Sequence, residues 1–304
     1  MIAVRLEEFK GIIAATITPN TADESEVSRY LDLLERSGVR GLFILGTMGE
    51  GAKLGPSSRQ RLAEMMLGLA GKRFLKIVHV GAPDIETAEQ LARHAGGCGA
   101  DGVSAVMPYY YRYDAESLAA FYNRLAGSTE APLLLYNNPG RQGYSVSAAE
   151  VGRVFELAPG VRGIKDTSGD PAMLLELQTS FGSTHFVACG GDHLLHYAFA
   201  IGVRAHVSSL AAIYPEIATG IWRAASRGDH STALRLQNAL NRARTLLRAV
   251  GPDTASYRYA LRLRGIDLGP PLFPTRGLTG EEMEKLSHGL EPLQRLAEEI
   301  GRHG

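Results

Sequence analysis

Short runs of apolar, largely β-branched residues alternate along the chain with longer amphipathic stretches. The short runs fall at 11–18 (GIIAATIT), 41–46 (GLFILG), 74–80 (FLKIVHV), 102–107 (GVSAVM), 132–137 (PLLLYN), 161–165 (VRGIK), 185–189 (HFVAC) and 203–209 (VRAHVSS). Most are nearly unbroken apolar segments, as expected of strands covered on both faces. Helical periodicity fills the intervals, as at Glu26–Ser37, Ser57–Ala70 and Thr87–Ala95. Strand starts recur about every 30 residues through the sixth, the length of one βαβ unit. No sequence repeat accompanies that spacing, so the repetition is architectural. Eight such units predict an α/β fold of the (β/α)8 TIM-barrel type, with a doubly wound sheet as the alternative.

Past the eighth predicted strand, residues 211–250 and 279–302 are again helical in pattern, joined by a Pro/Gly-rich stretch, GIDLGPPLFPTRG, at Gly265–Gly277. That is more chain than a bare barrel needs. The expected organisation is a barrel over 1–210 and additional C-terminal helices over 211–304 packed on it.

Charge narrows the function. The 32 basic and 32 acidic residues cancel, which argues against a general attraction to nucleic acid or an anionic membrane. No apolar run approaches the roughly 18 residues of a membrane span. The apolar stretch Gly11–Ile17 is short and follows Glu7 and Glu8 rather than a basic segment, unlike a secretory signal. A cytoplasmic location is expected. Cys98 and Cys189, in apolar, glycine-rich surroundings, read as small core residues rather than a disulfide framework.

Barrels of this kind place their chemistry at the carboxyl ends of the strands. There the sequence puts Thr47, Tyr109 and Tyr110, Tyr136 and Asn137, and Lys165 and Asp166. A lysine ending a buried strand is partly desolvated, which disfavours its ammonium and favours the amine that attacks a ketone. The alternative is a lysine paired with Asp166 at the barrel rim. Tyr136 can carry protons if hydroxyl neighbours form a relay; otherwise it caps the core. Thr47 stands in a Gly-bounded turn whose backbone N–H groups can hold a carboxylate. His193 and His196 share a helical spacing suited to a metal, with no third ligand at suitable spacing.

Four motifs change the weighing: Gly46-Thr47-Met48-Gly49-Glu50, Met107-Pro108-Tyr109-Tyr110, Tyr136-Asn137-Asn138-Pro139-Gly140-Arg141, and Lys165-Asp166-Thr167-Ser168-Gly169-Asp170 preceded by Gly163-Ile164. In this order and spacing the chain resembles the dihydrodipicolinate synthase/N-acetylneuraminate lyase family of class I aldolases, over about residues 8–300. The resemblance implies a Schiff base between Lys165 and a 2-oxo acid such as pyruvate. It implies Tyr136 as proton carrier, linked through Thr47 to Tyr110 of a neighbouring subunit. It also implies a carboxylate held at Thr47 and Met48, Val207 lining the pyruvate site, no metal or organic cofactor, and a homo-oligomer, dimer or tetramer.

Within the family, Arg141 points to 4-hydroxy-tetrahydrodipicolinate synthase, where an arginine here grips the carboxylate of the aldehyde substrate. Met48 in place of a second threonine, and Tyr111-Arg112-Tyr113 after the tyrosine pair, depart from that pattern. The run Tyr109-Tyr110-Tyr111, Lys165-Asp166-Thr167 and the Gly265–Pro274 segment look more like archaeal 2-keto-3-deoxygluconate aldolases. A sugar-acid aldolase or related dehydratase is therefore the alternative. In another class stands a non-catalytic barrel that binds a 2-oxo acid.

Overall fold

Eight parallel strands close into a barrel in chain order, β1 pairing with both β2 and β8, in a computed structural model that describes residues 6–21 and 23–303. The strands are β1 Gly11–Ala15, β2 Gly41–Ile44, β3 Leu75–His79, β4 Gly102–Val106, β5 Leu133–Asn137, β6 Val161–Asp166, β7 Phe186–Cys189 and β8 Ala205–Ser208. Each lies within, or one residue beyond, the apolar run that predicted it. Several runs outlast their strands because the barrel bends away before the apolar residues end. Ile17, for example, lies beyond β1 and is still buried.

The helices are α1 Glu24–Arg36, α2 Pro56–Ala70, α3 Ile85–Gly97, α4 Ala115–Ala126, α5 Pro139–Gln142, α6 Ala148–Leu157, α7 Pro171–Phe181, α8 Leu195–Ala200, α9 Pro215–Ser226, α10 His230–Ala249, α11 Asp253–Arg262 and α12 Gly280–His303. Local chemistry sets their starts. Asp23, Asp84, Asp114, Asp170 and Asp229 accept hydrogen bonds from first-turn N–H groups, and Ser147 forms a reciprocal pair with Glu150.

Two cores result. One lies between the strands and the helical ring and includes Leu31, Leu91, Leu174 and Ile217. The other fills the barrel with Phe9, Ile13, Phe43, Ile77, Leu134, Phe186, Ala205 and Val207, and it ends on Tyr136. Strands alternate their side chains between these two cores. Beyond the ring, α9 packs on β1, α8, α10 and α12, and α11 joins α10 to α12. The α11 segment falls between the two predicted C-terminal helical stretches. Most of its positions are buried, the polar Ser256 and Arg258 among them, so its buried face does not read as an apolar one in sequence. No helix among the described residues is long and apolar enough to cross a membrane.

Candidate active site

Strand alternation resolves the neighbours Lys165 and Asp166. Lys165 points into the barrel and is 5% exposed. Its Nζ lies 4.0 Å from the centre of the Phe43 ring and 3.8 Å from that of Tyr136. Asp166 points to the other face. Its carboxylate accepts from Asn137 Nδ2 at 2.7 Å and Ser168 Oγ at 2.6 Å, and burial pushes the carboxyl above its ordinary range despite both bonds. Lys165 makes no ion pair among the described residues, so the rim-pair reading fails.

Gly190, just past the end of β7, is required here. A Cβ there would stand 2.1 Å from Thr167 Oγ1 and 3.1 Å from Lys165 Cε. A side chain at this position would displace Thr167 and crowd the lysine.

Tyr136, the penultimate residue of β5, pairs with Lys165 in the sheet register. Its hydroxyl accepts from Asn138 Nδ2 at 2.7 Å and meets Thr47 Oγ1 at 3.2 Å. Burial alone would raise the phenol. The charge of Lys165 and hydrogen bonds with Thr47, Lys165 and Asn138 outweigh it and hold the phenol below its ordinary value. Asn138 is itself set in place, donating its backbone N–H to Gln142 Oε1 at 2.9 Å, while Gln142 Nε2 donates to Asn137 Oδ1. Asn138 lies inside a quoted motif, yet only the fold reveals its hold on the phenol.

His79, at the end of β3, is a further residue that pattern did not single out. It packs edge-on against Tyr136, ring centres 5.8 Å apart, and its Nε2 accepts from Val106 N–H at 3.2 Å, which assigns the proton to Nδ1. Burial first, then the charges of Arg59 and Lys165, push its pKa well down, so the imidazole is neutral.

Two cavities adjoin at Thr47, Met48 and Arg141. One, about 460 Å³, opens over Lys165 and is walled by Ala15 and Val207 on its apolar side. Its lining also includes the polar Thr167, Ser168, Asp192, His193 and Ser209, together with Arg244, Arg248 and Tyr257 from helices beyond the barrel. Asp192 is locked by Ser208 Oγ at 2.5 Å and by Ser209. Arg244 and Arg248, one turn apart on α10, make no ion pair among the described residues. The second cavity, about 540 Å³, extends past His79 and Tyr109 to Lys53, Thr254 and Thr275.

The fold thus brings together Lys165, Tyr136, Thr47, Met48, Arg141 and Val207. Tyr110 stands apart. It is 87% exposed with φ at +80°, its ring set edge-on to Tyr111 at 5.0 Å, and it lines neither cavity. His193 and His196 also part ways. His193 Nε2 meets the Gly169 carbonyl at 3.3 Å, whereas His196 Nε2 meets His230 Nδ1 at 3.1 Å, so they do not converge on a metal. Of the two cysteines, Cys189 is a core residue as expected, while Cys98 is half-buried beside His94.

A closed parallel barrel with a buried lysine and a paired tyrosine at its carboxyl mouth is the arrangement of a barrel enzyme. The chain belongs to the dihydrodipicolinate synthetase family, which it matches over residues 8–292. It is an enzyme of this lyase family. A 4-hydroxy-tetrahydrodipicolinate synthase of Rhizobium meliloti is 32% identical, covering 91% of this chain and 96% of that one. A probable 2-dehydro-3-deoxy-D-pentonate aldolase of Escherichia coli, YjhH, is 30% identical, covering 96% and 99%. Among solved structures, Escherichia coli YagE in complex with pyruvate superposes with a TM-score of 0.88 at 26% identity, covering 94% and 99%.

Proposed function

We propose that the protein is a pyruvate-linked class I lyase that cleaves, reversibly, a 2-oxo-3-deoxy sugar acid through a Schiff base on Lys165. The carrying observation is the cavity over Lys165, whose lining combines the apolar Ala15 and Val207, the hydroxyls of Thr167, Ser168 and Ser209, and the cations Arg244 and Arg248. A polyhydroxylated aldehyde fragment with an anionic far end matches that combination. The resemblance to a pentonate aldolase supports the same reading.

In the forward direction Lys165 Nζ adds to the C2 carbonyl, and loss of water leaves a protonated imine. The imine draws electrons from C3. Tyr136, its phenol favoured toward ionisation by Lys165 and Asn138, takes the proton of the C4 hydroxyl, and the C3–C4 bond breaks. The aldehyde departs and an enamine remains on Lys165. Tyr136 returns the proton to C3, and water hydrolyses the imine to release pyruvate. Thr47 and the Met48 backbone N–H receive the C1 carboxylate. Thr47 links the Tyr136 hydroxyl to Tyr110 contributed by a second subunit, a chain that holds the phenol in place while it keeps the C4 proton for C3, and the outward, strained pose of Tyr110 suits that role. The assembly is then at least a dimer.

Arg141 favours a second reading. Its place where the two cavities meet suits the carboxylate of aspartate semialdehyde, as a 4-hydroxy-tetrahydrodipicolinate synthase requires, and a named synthase is among the relatives. An activity panel separates the two. Pyruvate is offered with aspartate semialdehyde, D-glyceraldehyde, and glyceraldehyde 3-phosphate. The sugar-acid reading expects the hydroxyaldehydes to be preferred, and Arg248→Ala to penalise the phosphorylated one alone. Preference for aspartate semialdehyde, with indifference to Arg248→Ala, would overturn it in favour of the synthase.

A further inference from the structure

Strain brackets the turn at Thr47. Leu45 and Glu50, neither a glycine, hold φ angles of 58° and 55°, in the left-handed region that a Cβ disfavours. The turn is also pressed against its neighbours. A Cβ on Gly51 would stand 2.0 Å from the Leu45 carbonyl oxygen, and one on Gly49 would stand 3.1 Å from that of Thr16. Within it, Glu50 N–H donates to the Thr47 carbonyl at 3.1 Å and Gly51 N–H to that of Gly46 at 3.3 Å. Such a backbone persists only where its surroundings over-determine it.

The Glu50 side chain supplies that hold. Its carboxylate accepts from Lys53 Nζ at 2.7 Å, Thr254 Oγ1 at 2.9 Å, and Arg258 Nη2 and Nε at 2.8 and 3.1 Å. The Glu50 and Arg258 side chains are 1% and 4% exposed. Arg258 also donates to the Thr18 carbonyl at 2.8 Å and the Leu268 carbonyl at 3.2 Å. One guanidinium on α11 thus ties together the segment after β1, the turn after β2 and the chain beyond α11. A buried ion pair adds little net stability, because desolvation offsets its attraction, but it does fix geometry. Here the geometry it fixes is that of Thr47 and Met48.

We propose that Arg258 is a positioning residue for the substrate carboxylate: through Glu50 it holds the strained Thr47–Met48 turn in the shape that receives a 2-oxo acid. The inference rests on the Schiff-base reading of Lys165. It makes α11, a helix beyond the barrel, part of the binding machinery. The clamp acts on the carboxylate end alone, since Lys165 stands on another strand with its own packing.

Borohydride trapping on the full-length protein tests this, titrated with pyruvate and, in parallel, with propanal, a carbonyl compound without a carboxylate. For Arg258→Met the half-saturating pyruvate concentration should rise about tenfold or more, the loss of a charged, bidentate hold. The maximal adduct per chain should be unchanged, and the propanal curve should move less than about twofold. Glu50→Gln should shift pyruvate in the same sense. Arg258→Lys should recover most of the loss, because an ammonium still reaches Glu50. If Arg258→Met does not fold, Glu50→Gln and Arg258→Lys carry the same comparison. Unchanged pyruvate saturation in the folded variants overturns the clamp, and so does an equal loss with pyruvate and propanal, the mark of general damage. A wild-type protein that forms no adduct with either compound overturns the Schiff-base reading, and the clamp with it.

Discussion

The two walls of the cavity over Lys165 are built differently. The reacting wall comes from strand ends: Lys165 on β6, Tyr136 on β5, Val207 on β8. These side chains are buried and locked by neighbours in the sheet, as a group that must meet a carbonyl in one orientation requires. The opposite wall comes from loops and helices: Arg141 on the short α5, Arg244 and Arg248 on α10. Arg141 and Arg248 are exposed. A loop or surface helix can exchange its side chains without disturbing the barrel. One family can therefore hold one covalent step constant while the second substrate changes, and the difference should show in mutant kinetics.

The largest effect belongs to the reacting wall. Lys165→Ala should abolish the reduced pyruvyl adduct that peptide mapping otherwise assigns to that residue. Undiminished labelling would break the mechanism. Tyr136→Phe removes one oxygen from the same wall and should lower kcat by roughly 10²–10⁴, the worth of a general acid–base, with the fold intact by circular dichroism. Turnover close to wild type would take the phenol off the proton path.

Assembly comes next in size. If Tyr110 completes a neighbour's site, Tyr110→Phe and Lys165→Ala proteins mixed through dissociation form hybrids with one intact site each. About a quarter of wild-type activity should return, since half of randomly formed dimers are hybrids. No recovery despite mass-spectrometric proof of exchange would leave each site within one chain.

Smaller effects belong to the opposite wall. Arg141→Lys keeps charge but loses the planar fork. In a synthase it should cost about 1.5–3 kcal/mol in kcat/KM for aspartate semialdehyde. In a sugar-acid aldolase the change should be close to nil with glyceraldehyde, and Schiff-base formation should be untouched in either.

The amino-acid sequence determined the barrel. Each strand is an apolar run long enough to be seen locally, and local capping residues start the helices between them. It also singled out the residues proposed for the covalent step, because Lys165, Tyr136 and Thr47 lie inside contiguous motifs. Tertiary structure decided what depends on approach across the chain. Lys165 and Asp166 are neighbours in sequence, yet the pleat sends them to opposite faces, so only the fold separates nucleophile from rim ion pair. Helix α11 buries polar Ser256 and Arg258 among its apolar residues, and its Arg258 meets Glu50 across 208 positions. Arg244 and Arg248 read in sequence as an ordinary solvated helix face. They become part of a site only because α10 folds back over the mouth of the barrel, and no local pattern encodes that return.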